Sequence, residues 1–551
     1  MNIKLTRRTF TTGLLGGASV LALGLPTFAR EAKKLTMPFQ VGVNGLDNLD
    51  PRVLLTDAHQ SVQTGIFESL VRSIGPDFKP GAAETWEVSP DGKTYTFHLR
   101  DAKWSDGKPV VAGDFVHAFQ RMFISSAASQ IYDDILNGAE LRGGTVKPEE
   151  LGVKAVDDKT VVFTLKNPTP YFLGLISSAI AAPGRADLVD KFGDKYGASA
   201  DSMAYNGPYL LDRWENENIV VLKKNPDYWD AGNIKLEEVD FLVVPDANTQ
   251  RNMFDNQEVD LYLPQTETEA KEYEAKGELM RYNKGRYRGI TFNNFGQNDA
   301  AKAKILSNVN FRKAISYAID RQGFVDKVME GAGLPATVQT PAAHTVYPGK
   351  TWGDVSPNIG KFHPVTADLA KSKEFMDKAL AETGFATVAD LPTFDLLTSE
   401  NPENPKVLTP YVLSVLSGMG LKINLKQATG NNFWSTLTEP ALGFDMAVVG
   451  WGPDFDDPAT YMGYWVSSSK DMGATFDNAE YDALYASANA ETDLAKRAEI
   501  LAKVEALFAE KGPAIPIIHY KGAVAIQPYV KDITTSIFGV EINYVYADIQ
   551  K

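Results

Sequence analysis

The chain is predicted to be an α/β protein of two or three lobes, on three observations. Its 551 residues exceed what one hydrophobic core supports, because cores stop growing at about 250–300 residues. Short β-branched runs sit beside long stretches of helical spacing. No internal repeat and no low-complexity tract interrupts them.

In chain order, DDKTVVFTLK (Asp157–Lys166) predicts a strand closed by Asn167-Pro168. NIVVLKKNPDYW (Asn218–Trp229) predicts another, ended by the turn Asn225-Pro226-Asp227. Within Asn308–Gly333, Phe311, Ile315, Ala318 and Ile319 fall at helical spacing, which predicts a helix packed on a core. The run Phe476–Ile518 predicts two helices divided near Thr492-Asp493. The second starts on that cap and stops at Gly512-Pro513, and the strand IPIIHY follows.

Composition is that of an ordinary soluble protein, 44% apolar, 23% charged and 11% aromatic. Residues 1–29 read as an export signal and not as part of the fold. They have a basic start (Lys4, Arg7, Arg8), an apolar stretch from Leu14 to Leu25, and Thr27-Phe28-Ala29 before the cleavage point. Thr6-Arg7-Arg8-Thr9-Phe10 resembles the twin-arginine signal. The apolar stretch is short of the about 20 residues that span a bilayer. With no cysteine there is no disulfide, no thiolate metal site and no lipidated anchor. Cleavage near Ala29 and a soluble, monomeric protein in the periplasm of a Gram-negative bacterium are expected. Removing residues 1–29 leaves 52 Lys and Arg against 70 Asp and Glu, a formal −18. Such a surface repels nucleic acid and anionic lipid, so no nucleic-acid partner and no direct membrane insertion are expected.

Catalytic motifs are sparse. No Gly-x-Ser-x-Gly elbow or phosphate loop occurs, and Gly331–Ala336 matches a dinucleotide fingerprint in the wrong context, after a helix. The six histidines (59, 98, 117, 344, 363, 519) include no pair at metal-ligand spacing, so no metal and no cofactor are expected. One segment stands apart, GWGPDFDDPATYMGYW (Gly450–Trp465). It crowds Asp454, Asp456 and Asp457 among two tryptophans and two tyrosines. Calcium, a glycoside held between carboxylates, and a cationic ligand are the chemistries such a composition brings to mind, and calcium is disfavoured because the alternating Asp/Asn ligands, central glycine and closing glutamate of an EF-hand loop are missing.

AETWEVSPDGKTYTFHLRDAKWSDGKPVVAGDFVHAFQRM (Ala83–Met122) narrows the choice. Tyr95, Phe97 and Leu99 alternate on one face of a hairpin turned at Pro90-Asp91-Gly92. Trp86 packs beneath it, Asp106-Gly107 turns the next hairpin, and Gly113-Asp114 caps a helix. This stretch resembles the signature of the bacterial extracellular solute-binding proteins, family 5, the periplasmic oligopeptide- and dipeptide-binding proteins of ABC importers. LDPR (Leu49–Arg52), IFESLV (Ile66–Val71), NGPYLLDRW (Asn206–Trp214), NPDYWD and VNFRKAISYAIDRQ extend the likeness along the chain.

The resemblance implies a periplasmic-binding-protein-like two-lobe (Venus flytrap) α/β fold. Lobe I would take 30–70, 200–295 and 522–551, an extra α/β domain would take 71–199, and lobe II 296–521. The chain would cross near Asn293–Phe295 and near Tyr520-Lys521. The resemblance also implies a short peptide as ligand, no catalytic residue, and an inner-membrane ABC importer, permease and ATPase, as partner. Gly450, Trp451, Gly452 and Asp454 would line the lobe II side of the cleft. Their backbone would pair with the peptide as an added strand, and Asp454 would take its α-ammonium. Phe433 or Trp434 would wall side-chain pockets with Trp451, joined by Tyr461, Trp465, Tyr520 and Tyr132. Asp456 and Asp457 would cap the turn before Pro458. The chain departs from some oligopeptide binders at Val448 (an arginine there), near Leu55 (an acidic residue) and at Gly452 (a cysteine). An opine, a modified cell-wall peptide or an oligosaccharide is therefore the alternative ligand, and a glycosidase the rival class.

Overall fold

Alternating apolar residues build three principal sheets, beside four of two strands each, in the computed structural model, which describes residues 33–39, 46–52, 56–74, 77–293, 299–399, 407–439, 443–469, 472 and 476–550. Residues 1–29, where an export signal is expected, and Leu55 and Phe295 lie outside the described residues. The first sheet is mixed. Lys34–Phe39 lies parallel to Glu238–Val243, followed by antiparallel Ile219–Lys224 and Tyr209–Glu215.

The second sheet is antiparallel, in the order Ala83–Val88, Thr94–Leu99, Thr160–Thr164, Val153–Asp157. Tyr95, Phe97 and Leu99 are buried on one face, as the alternation predicts. Two local expectations are corrected. The strand predicted from Asp157 begins at Thr160, because Asp157 accepts from the Lys159 amide (2.8 Å) and turns a hairpin there. The helix Ala112–Ser125 is not capped by Gly113. Asp114 stands at its third position and reaches back to the Val111 amide (3.1 Å) while taking the Trp104 indole N–H (2.9 Å).

The third sheet runs Leu261–Tyr262, Ala514–Ile526, Leu279–Phe292, Met446–Val449, Phe394–Ser399, Ile423–Ala428, with Gly333–Pro335 also on Ala514–Ile526. Two strands of thirteen and fourteen residues form its spine. One end of this pair carries Leu261–Tyr262, and the other carries Met446–Val449 on Gly289–Phe292. Between them the register slips, from Asn283 opposite Lys521 to Tyr287 opposite His519. Gly285 stands in that bulge at φ +61°, a left-handed conformation that favours glycine.

The helical expectations hold. Val309–Ala318 is capped by Asn308, and Phe311, Ile315, Ala318 and Ile319 are buried. Ala479–Ala490 and Leu494–Lys511 divide at Asp493, whose carboxylate caps the second, and Gly512 ends it at φ +62°. Among the described residues no helix is long and apolar enough to cross a membrane.

Candidate functional site

Strand Met446–Val449 delivers Gly450–Asp454 beside the bulge of Leu279–Phe292. The Trp451 carbonyl accepts from the Tyr287 amide (3.1 Å), and the Gly450 carbonyl from Arg288 Nη1 (3.0 Å). A Cβ on Gly450 would stand 1.8 Å from the Tyr287 carbonyl oxygen, so this position must be glycine. At Gly452 a Cβ would meet Arg286 Cγ at 3.2 Å. Among the described residues, no hydrogen bond engages the amides of Trp451 and Gly452 or the carbonyl of Gly452.

The three aspartates that follow have separate partners. Asp454 is half-buried. Its amide donates to Thr460 Oγ1 (2.9 Å), and its carboxylate accepts from the Tyr464 hydroxyl. Asp456 accepts from Thr345, through the amide (3.0 Å) and hydroxyl (2.7 Å), and pairs with His344 Nδ1 (3.0 Å). Burial pushes the Asp456 carboxyl up, but these hydrogen bonds hold it below the usual carboxylate range. Asp457 is fully buried in a bidentate pair with Arg497 (2.7 and 2.9 Å) and accepts from the Ala459 amide (2.8 Å). Asp457 therefore caps the turn as expected. Asp456 does not, because its oxygens tie down the segment around His344 instead.

Trp451 is half-buried, with its ring among Tyr287 (5.9 Å), Tyr464 (5.8 Å) and Trp465 (5.8 Å). The pocket walls expected at Phe433, Tyr461 and Tyr132 are corrected, since buried rings offer a ligand no surface. Phe433 turns into the core from helix Gly430–Thr438, while its neighbour Trp434 is 45% exposed. Tyr461 sits behind Tyr287 (5.9 Å), bonding the Gly285 carbonyl and His344 Nε2 (2.8 Å). Tyr132 lies beneath the second sheet against Phe119 and donates to the Leu175 carbonyl (2.9 Å). Trp465 is likewise core, edge-on to Phe508. Tyr520 is half-buried opposite Gly333, beside Arg288. Val448 is fully buried among Ile290, Met446 and Ile517, so this position faces a core and not a ligand carboxylate.

Sequence reasoning missed Tyr287, Arg286, Arg288, His344 and Arg497, which stand far along the chain from the partners they meet (40 residues for Arg497 and Asp457, 162 for Arg288 and Gly450) and carry no local motif. Tyr464 lay inside the quoted segment, and helical spacing from Thr460 was the available signal. Among the described residues no cluster of His, Asp and Glu is arranged to hold a metal. A cavity of about 660 Å³ lined by Arg100, Trp229, Lys235 and Tyr546 contains none of these residues.

Three principal sheets, one of them spanned by the paired long strands Leu279–Phe292 and Ala514–Ile526, with a half-buried aspartate among aromatics, define a two-lobed α/β solute-binding protein. The chain belongs to the bacterial extracellular solute-binding proteins, family 5, whose middle-region model matches residues 77–473. It is 30% identical over 531 residues to the periplasmic oligopeptide-binding protein OppA of Salmonella typhimurium, covering 94% of this chain and 93% of that one. It is 31% identical over 478 residues to the oligopeptide-binding protein OppA of Bacillus subtilis, covering 84% of each. Among solved structures, Haemophilus influenzae OppA in complex with RPPGFSPFR superposes with a TM-score of 0.75 at 28% identity, covering 95% of this chain and 99% of that one. The substrate-binding domain of an oligopeptide ABC transporter from Bacillus anthracis gives 0.77 at 29%, covering 94% and 99%.

Proposed function

We propose that the protein captures short peptides in the periplasm and delivers them to an ABC importer, with Asp454 holding the peptide α-ammonium. The observation that carries this reading is the pairing of a half-buried carboxylate with the adjoining amides of Trp451 and Gly452, which no described residue engages. Backbone amides at the edge of a recess are what an extended peptide pairs with, without regard to its sequence. A carboxylate accepts about four hydrogen bonds, so the Tyr464 hydroxyl on Asp454 is compatible with an ammonium there as well. The names of the relatives support the same ligand class and the importer as partner. Trp451, Trp434 and Tyr520 are the expected rings with surface to offer peptide side chains.

Lobe I takes 30–70, 200 to about 283 and 522–551, the extra domain 71–199, and lobe II the remainder. The register slip supports a crossing at Asn283–Tyr287 on the first long strand, ahead of Asn293–Phe295, and at Tyr520 on the second. Export by residues 1–29, cleavage near Ala29 and a monomeric mature protein complete the reading. A glycosidase is disfavoured because Asp456 and Asp457 are held by His344 and Arg497 and offer no second carboxylate.

Calorimetric titration with pools of two- to five-residue peptides, free or acetylated at the N-terminus, tests this. Free-amine peptides bind, while acetylation or Asp454→Asn costs about 2–5 kcal/mol. Equal binding of both pools would remove Asp454 from the ammonium. Binding of neither would turn the search to an opine, a modified cell-wall peptide or an oligosaccharide. The relative named a probable deoxycholate-binding periplasmic protein in Escherichia coli, 28% identical over 492 residues, keeps non-peptide solutes in that second screen.

A further inference from the structure

The loop Asp454–Asp457 is gripped at each residue. Asp454, Asp456 and Asp457 are held by Thr460 and Tyr464, by His344 and Thr345, and by Arg497. All of these lie within 344–497. Phe455 is different. Its ring stacks on Tyr171, with centroids 3.9 Å apart and planes within 7°, and each residue is 8% exposed. Among the described residues this is the one ring contact that Phe455 makes.

Tyr171 comes from a part of the molecule distant in sequence, and it is rigidly presented. It follows Pro168-Thr169-Pro170 after strand Thr160–Thr164. The Thr169 carbonyl accepts from Tyr95 (2.9 Å), and Phe172 packs on Tyr95 and Phe163. The hydroxyl of Tyr171 donates to Asp134 Oδ2 (2.8 Å), which fixes the ring plane. Arg497, while paired with Asp457, holds its guanidinium 5.7 Å from the Tyr171 centroid. One aromatic side chain thus meets both the residue after Asp454 and the cation that anchors Asp457.

We propose that Tyr171 and Phe455 form a latch by which the extra domain 71–199 holds the Asp454 loop closed over bound solute. Tyr171 is a positioning residue: it touches Phe455 and Arg497, and acts on the ligand through the loop they share. The inference rests on the lobe assignment and ligand site given above. Two near-parallel rings that shield each other from water in the closed form both become wet when the lobes part. Stacking therefore favours closure, and its loss shows mainly as faster ligand release, since affinity differences within one interface reside largely in koff. It also gives the extra domain a part in ligand retention.

Tyr171→Leu and Phe455→Leu keep an apolar side chain and remove the stack, while Tyr171→Phe removes only the bond to Asp134. Stopped-flow release of a bound free-amine tripeptide pool should be about tenfold faster in each leucine variant. The double variant should be little worse than either, because both remove one interaction. The absence of cysteine lets Val156→Cys and Leu369→Cys, both well exposed, carry spin labels in the full chain. Added peptide should narrow the distance distribution of the wild type, and either leucine variant should return it to longer distances.

Unchanged release rates and distances in both leucine variants would overturn the latch. So would a wild-type distribution that peptide leaves unaltered in a protein that binds it, which would make the stack a fixed interface. If no peptide pool binds at all, the ligand reading fails separately. The ligand-free distances still decide the latch: a shift to longer values in Tyr171→Leu supports it, and identity with wild type sinks it.

Discussion

The signature hairpins of Ala83–Met122 and the aspartate segment Gly450–Trp465 are built on opposite principles. In the first, much of the structure closes within the stretch. Ser89 and Gly92 make the turn, Trp86 faces Phe97 across the hairpin, and Asp114 satisfies both Val111 and Trp104. In the second, the chain supplies one half of each interaction and receives the other from afar. Asp457 needs Arg497, Asp456 needs His344, Tyr461 needs Gly285, and Phe455 needs Tyr171. A motif that closes locally identifies a family from sequence. A segment that closes at long range cannot be read in this way, because its surroundings decide which of three identical carboxylates is buried in an ion pair and which are left partly accessible.

Substitutions on either side of this contrast should differ in size. Asp457→Ala leaves the Arg497 guanidinium, 1% exposed, without its carboxylate. Breaking a buried pair in this way costs about 3–5 kcal/mol. Urea unfolding of the ligand-free protein would measure it, and a loss under 1 kcal/mol would show that solvent reaches Arg497.

Acid should act on the long-range side next. Burial pushes the His519 imidazole down to about 4, and Nε2 donates to the Val338 carbonyl (3.0 Å), so the folded protein holds it neutral. The unfolded chain binds a proton below about 6.5, so the contribution is complete above that pH and is lost as pH falls toward about 4. The loss totals about 3 kcal/mol for this residue. Between pH 7 and 4.5 the wild type should lose about 2 kcal/mol more than His519→Gln, and parallel curves would place the acid sensitivity elsewhere.

Gly450→Ala forces the segment away from Tyr287. Overpacking of this kind costs about 1–3 kcal/mol, and the displaced amides should weaken peptide binding at the same time. Stability lost with affinity unchanged would separate the glycine from the site. The smallest effect belongs to the local side. Gly107 has φ +86° and open space where an alanine methyl would stand, with nothing within 4 Å, so Gly107→Ala meets backbone strain alone, about 1 kcal/mol. It should lower the melting temperature slightly and leave ligand affinity untouched.

By itself the sequence determined the α/β class, the helix limits at Asn308, Asp493 and Gly512, the signature hairpins and, through them, the family. It also singled out Gly450–Asp454 as the place to look. These features rest on periodicity, capping and turn chemistry, which act within a few residues and are written in order along the chain. Tertiary structure alone decided the rest. It buried Tyr132, Phe433 and Tyr461, left Trp434 exposed, put a register slip at Asn283–Tyr287, and gave Asp456 to His344 and Asp457 to Arg497. An aromatic ring reads the same whether it walls a pocket or fills a core, and a carboxylate reads the same whether buried in an ion pair or half-open to a ligand. Burial and distant partners separate those roles, and both come into being only when segments far apart in the chain are packed together.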